Sequence, residues 1–145
     1  VLFLLLLTAA VRFSLERAAT MNPWRVGAGL VVAAAGLSLT LAAARHFARR
    51  RANIVTFHPP TELVVDGWFR FSRNPMYLGF TLLLAGAALA LGGVLTFVPT
   101  LLFVLAAETV YIPFEERAMR RVFGEDYRRY SKQVYRWFGR RARAG

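Results

Sequence analysis

From Asn74 to Ala107 the chain carries no charged residue, a run of 34. A single helix of that length would be about 50 Å long, against a hydrocarbon core of about 30 Å. The run therefore has to turn back on itself. Gly92-Gly93 stands at its middle and Pro99 follows six residues later; glycine turns a chain at least steric cost. The expectation is a tight hairpin of two short helices, residues 76–91 and 94–112.

The rest of the chain is of the same kind. Val26 to Ala44 gives 19 uncharged residues, close to the roughly 20 that one spanning helix needs. Its Gly- and Ala-rich sequence, "VGAGLVVAAAGLSLTLAAA", suits close helix packing in lipid. "VLFLLLLTAAV" (1–11) lacks the basic flank of a signal peptide and is read as the visible part of a first membrane helix. The chain is 57% hydrophobic, above the roughly 45–50% of soluble domains. The fold class expected is an all-α integral membrane protein. It would have about four transmembrane helices, a tight C-terminal helical hairpin and a cytoplasmic amphipathic C-terminal helix. Residues 1–53 would form N-terminal membrane helices and 54–145 a core.

Charge sets the orientation. Residues 45–73 carry six arginines and two acids, and the tail from Glu115 carries ten basic residues and four acids. Both segments flank the hairpin and so lie on one side, which the positive-inside rule makes cytoplasmic. "RHFARRR" (45–51) and "GRRARAG" (139–145) read as anchors that touch anionic lipid. Nucleic acid is not the expected partner, because Tyr127, Tyr130, Val134 and Trp137 recur at helical intervals as one amphipathic face. There is no cysteine and there are two histidines, which excludes thiolate chemistry and leaves no expected metal site.

Chemistry concentrates at the two ends of the hairpin. Asn is a favoured N-cap and Pro is best tolerated at the first helical position, so a helix should start at Pro75. The first amides of that helix, at Met76 and Tyr77, together with Arg73 would make an anion site. A well-capped helix with a snorkelling arginine accounts for the same residues. Upstream, Pro59-Pro60 excludes a helix and Asp66-Gly67 signals a turn; Leu63-Val64-Val65 is extended in character. At the far end, Glu108, Tyr111 and Glu115 fall on one helical face if Pro113 only kinks the helix. Glu108 would lie inside the apolar layer, where an acid is costly and usually functional. Glu116 could simply pair with Arg120. An anion site facing carboxylates suits a zwitterionic ligand.

"LVVDGWFRFSRNPMYLG" (63–79) and "FEERAMRRVFGEDYRRYSKQVYRW" (114–137) resemble the isoprenylcysteine carboxyl methyltransferase family, which is related to phospholipid N-methyltransferases. The resemblance covers about residues 54–138. It implies a membrane methyltransferase that uses S-adenosylmethionine (SAM) and acts on a lipophilic or lipid acceptor. On the matching positions, Thr61, Glu62, Leu63, Val64, Phe69, Asn74, Pro75, Met76, Tyr77 and Glu115 are cofactor-binding candidates, with Arg73 added on electrostatic grounds. Glu108, Tyr111, Glu116 and Arg117 are the catalytic candidates for the acceptor's head group.

Three departures matter. Asn74 replaces the family's commoner His, and Phe69 stands where a Tyr is usual. Tyr111 occupies the position of an arginine that holds the substrate carboxylate, which puts a prenylcysteine acceptor in doubt. A phospholipid N-methyltransferase, an NADPH-binding reductase of the sterol-reductase type and a non-enzymatic protein binding anionic lipid are the alternatives. The expected location is a bacterial-type inner membrane, with the active site facing the cytoplasm.

Overall fold

A computed structural model describes residues 1–15, 22–50 and 62–141. The described residues are helical, in five α-helices joined by short 3-10 and π turns. These helices are α1 (Leu2–Leu15), α2 (Pro23–Arg49), α3 (Pro75–Leu91), α4 (Val98–Ala106) and α5 (Ile112–Gln133). Two helical stretches, Pro23–Arg49 and Val94–Gln133, are long and apolar enough to cross a bilayer, while Pro75–Leu91 is shorter. The chain is an all-helical membrane protein. It divides into two compact units, residues 1–38 with 79–106 and residues 39–78 with 107–145.

In the first unit the hairpin turns where glycine makes a turn cheap. Gly92 and Gly93 take φ values of 78° and 85°. Thr96 caps the return by donating its hydroxyl to the Gly93 and Ala88 carbonyls, at 2.6 and 3.0 Å. Along the outgoing arm, α2 and α3 approach backbone to backbone. A Cβ added at Gly86 would lie 2.3 Å from the Ala33 nitrogen, and one at Gly29 would lie 2.4 Å from the Ala90 nitrogen. In lipid there is no hydrophobic drive between helices, so such contact supplies the van der Waals packing that holds them. Phe80 and Phe103 meet edge to face, with ring centroids 6.1 Å apart.

The second unit is built on the charged segments. Asp66-Gly67 turns the chain as expected, with Gly67 at φ 57°, into a 3-10 turn over Gly67–Arg70. Val64 and Phe69 are buried, with Phe47 and Met76 packed on them. The turn is tied to the end of α2 by His46 Nε2 and Asp66 Oδ1, 2.8 Å apart, and by a short Arg50–Asp66 contact. The hydrogen bond to His46, with the Arg50 charge, holds the Asp66 carboxyl below its ordinary range. Asp66→Asn should loosen this turn, read as faster amide exchange at Phe69 and Phe71, while leaving the apolar helices protected. Unchanged exchange would mean the contact carries no order.

Two expectations about the helices need correction. The second arm does not stop near 112. Pro113 lacks an N–H and its ring crowds the carbonyl four residues back, and a π turn over Ala107–Tyr111 absorbs this so that α5 continues. The amphipathic helix does not reach Trp137. It ends at Gln133, with Val134 extended at φ −123° and ψ 135°. Gly124, at φ 50° and ψ −115°, breaks the path within α5. Beyond that break Tyr127, Tyr130 and Val134 form a buried cluster on which Leu63 packs.

Candidate active site

Past Gln133 the chain returns to the start of α3. Arg73 N–H donates to the Tyr135 carbonyl at 3.0 Å, and Gly139 N–H to the Phe71 carbonyl at 2.7 Å. The Arg136 carbonyl accepts from Ser72 Oγ at 3.2 Å and from Asn74 Nδ2 at 3.1 Å. Asn74 thus closes the first helical turn with its carbonyl, which accepts from Leu78 N–H at 3.0 Å, while its side chain holds the returning tail. Losing that one neutral hydrogen bond in Asn74→Ala should cost about 1 kcal/mol. The expected readout is a small drop in melting temperature in detergent, with a local gain in proteolysis beyond Gln133; intact tail protection would contradict the tether.

This return delivers Arg136, which sequence reasoning missed. Its Nε and Nη2 grip Glu116 at 3.0 and 2.9 Å, and its Nη1 reaches Glu108 at 2.5 Å. Glu108 also accepts from Trp137 Nε1 at 2.9 Å. Glu116 is buried and takes two further guanidinium groups, Arg73 at 3.1 Å and the expected Arg120 at 3.0 Å. It stands in the charged part of α5, past the last apolar residue of the hairpin. Burial works against its ionisation. The Arg136 hydrogen bonds and the surrounding arginine charges prevail, so its carboxyl titrates below its ordinary 4.5. The bond to Glu116 in turn raises Arg136 above its usual value. A carboxylate clamped in this way is a poor proton acceptor and a strong organiser.

The other candidates fall into two groups. Tyr77 donates its hydroxyl to Glu115 Oε1 at 2.9 Å, and its ring stacks against Tyr111 at 6.4 Å. Pro75 is fully buried, and the Met76 carbonyl lies 3.5 Å from Thr40 Oγ1. Leu63, Val64, Phe69 and Met76 serve the core of this unit, with the Phe69 ring 5.4 Å from Phe47 and its carbonyl accepting from Tyr130 at 2.7 Å. Burial raises the Tyr130 hydroxyl above its usual range, which keeps it a donor there. Glu62 lies 3.6 Å from Arg50, and Arg117 is exposed. Thr61 lies outside the described residues.

An open cleft of about 750 Å³ runs beside this network, lined by Arg73, Glu116, Arg120, Lys132, Arg136, Trp137 and neighbouring residues of the tail. That volume is within the usual range of about 300–1,000 Å³ for small-molecule sites. Among the residues that line it, Arg73 has an Nε that is buried without a hydrogen-bond partner.

An all-helical membrane fold with an arginine–carboxylate site at the start of its hairpin fits a membrane methyltransferase, and comparison with known proteins supplies the family. Residues 24–126 match the phospholipid methyltransferase family, so the chain belongs to that family. A Haemophilus influenzae protein described as uncharacterized is 37% identical over 62 residues, which is 43% of this chain and 98% of that protein. The Schizosaccharomyces pombe protein-S-isoprenylcysteine O-methyltransferase is 37% identical over 75 residues, half of this chain but only 30% of the yeast protein. No solved structure matches the chain.

Proposed function

We propose that the protein is a SAM-dependent methyltransferase that methylates a lipophilic acceptor from the cytoplasmic side of the membrane. The observation that carries this reading is one compact unit holding both an unpaired arginine nitrogen and a tyrosine-bound carboxylate. Arg73 Nε has no hydrogen-bond partner, and Tyr77 binds Glu115. SAM has a carboxylate for the Arg73 guanidinium, an ammonium for the Glu115 carboxylate and a sulfonium that makes its methyl group electrophilic. The residues therefore fit the cofactor, with Asn74, Pro75, Met76, Phe69 and the 62–64 segment shaping the surroundings.

The chain's own contribution is positioning, which supplies most of the catalysis in an in-line displacement. Arg136 fixes Glu108 and Glu116 relative to the Asn74 helix start. Tyr111, stacked on Tyr77, is the aromatic wall beside the Tyr77–Glu115 pair. Glu116 acts as a positioning residue, since three guanidinium contacts suppress its basicity. With an amine acceptor, Glu108, partly exposed and held by one guanidinium and one indole, takes the proton; a carboxylate acceptor needs no base. Arg117 serves the acceptor's charged end.

Calorimetry on the full chain in detergent tests the cofactor. SAM and S-adenosylhomocysteine should bind with micromolar affinity. Binding of NADPH in preference to both would favour the reductase class instead. In the same experiment Tyr77→Phe should weaken SAM binding about tenfold, since a hydrogen bond to a charged group is worth about 1.5–3 kcal/mol. Unaltered affinity would remove Tyr77 and Glu115 from the cofactor site.

A further inference from the structure

The returning tail does more than deliver Arg136, because its outer side is apolar where a soluble surface would be polar. Phe138 is 71% exposed and Phe71 47% exposed, and the Gly139–Phe71 backbone bond places these positions beside each other. Trp68 and Tyr135, one short turn away on either segment, are also nearly half exposed. Arg70 and Arg140 flank the four rings. Both are exposed, and neither forms an ion pair among the described residues. Glu108 and Glu116 are paired with Arg136, and Asp66 with His46 and Arg50, so Arg70 and Arg140 supply unpaired positive charge beside these rings.

Four exposed aromatic rings ringed by unpaired arginines are costly in water. They match a lipid–water interface, where aromatic rings sit at headgroup level and arginines meet phosphate. Chain geometry puts the surface within reach. Phe71 lies four residues before Pro75, the first residue of an apolar helix, and four residues span at most about 14 Å. We infer that Trp68, Phe71, Tyr135 and Phe138, with Arg70 and Arg140, form a docking platform for the anionic leaflet of the bilayer that holds the protein. Tyr135 and Phe138 also line the cleft, so the platform borders the proposed cofactor site; the inference concerns membrane contact and does not depend on the methyltransferase reading. The platform also holds the tail down, and with it the Arg136 clamp.

The chain has no cysteine, so Phe138→Cys in the full-length protein gives a single site for an environment-sensitive fluorophore. The labelled protein is reconstituted in vesicles of phosphatidylcholine alone or of phosphatidylcholine with phosphatidylglycerol. Each basic residue near an anionic surface is worth about fivefold. Neutral aqueous acrylamide should therefore quench the label less in the anionic vesicles, by about fivefold if docking follows that factor, and brominated lipid should quench it more. Arg70→Glu with Arg140→Glu should abolish that difference. Equal acrylamide access in both vesicles would overturn the platform. So would shielding that depends on protein density rather than lipid charge, because it would assign the surface to another protein. Should the double reversal fail to fold, the two-vesicle comparison alone decides the question.

Discussion

Glu116→Gln should be the most damaging single conservative change in the charged unit. The substitution keeps shape but leaves Arg73, Arg120 and Arg136 converging on a neutral amide. Removing one partner from a buried ionic cluster typically costs about 3–5 kcal/mol. Because Arg120 and Arg136 are partly exposed, a loss of about 2–3 kcal/mol is expected here. The melting temperature should fall accordingly, and methyl transfer should drop by about 100-fold as Arg136 loses its fixed orientation. Glu116→Asp should restore part of both. The pH dependence has a definite sign. A carboxyl whose folded value is depressed contributes stability above its unfolded value of 4.5 and loses that contribution as pH falls through the lower folded value. The wild type should therefore destabilise on the acid side of pH 4.5, whereas Glu116→Gln should show a flatter acid limb. Identical acid limbs would mean that the cluster contributes no proton-linked stability.

Gly86→Leu should be as severe, through packing instead of charge. Even a methyl group at this position meets the Ala33 nitrogen at 2.3 Å and the Gly29 carbonyl oxygen at 2.6 Å. Backbone atoms cannot swing aside as a side chain would, so α2 and α3 must separate. Overpacking costs about 1–3 kcal/mol for ordinary core insertions, and a leucine wedged between two helix backbones should exceed that. The expected result is loss of the monodisperse folded species in detergent. Gly86→Ala should already lower the melting temperature by about 5–15 °C. Gly27→Ala is the matched control, since nothing lies within 4 Å of its added carbon; it should be neutral or slightly stabilising. If Gly86→Ala and Gly27→Ala behaved alike, close backbone contact would not be what holds these helices.

Much of the hairpin was legible because its signals are local. A helix starting at Pro75, a turn at Gly92-Gly93 and a turn at Asp66-Gly67 follow from backbone restrictions that each residue imposes on itself. Close packing of the Gly- and Ala-rich α2 was readable for a similar reason, while its partner, α3, was not. Arg136 was not readable. It is one of ten basic residues in the tail, and nothing in its own chemistry says which of them folds back. The helical spacing of Tyr127, Tyr130, Val134 and Trp137 also misled, because it continues past Gln133 where the helix does not. A usable signal lay in "VYRWFG" (134–139), where β-branched and aromatic residues followed by glycine favour extended chain and a turn over helix. Pro113 was ambiguous for a different reason. Whether a proline stops a helix or is absorbed by a π turn depends on tertiary packing on both sides of it.

We propose that this member of the phospholipid methyltransferase family transfers a methyl group from SAM to a lipophilic acceptor. Full-length protein reconstituted in vesicles of bacterial lipid extract, incubated with methyl-labelled SAM, tests it most directly. Label should appear in a chloroform-soluble product, lost in Glu116→Gln and strongly reduced in Tyr77→Phe. SAM that binds without any label entering the lipid phase would contradict the acceptor, and absence of both binding and label would contradict the function itself.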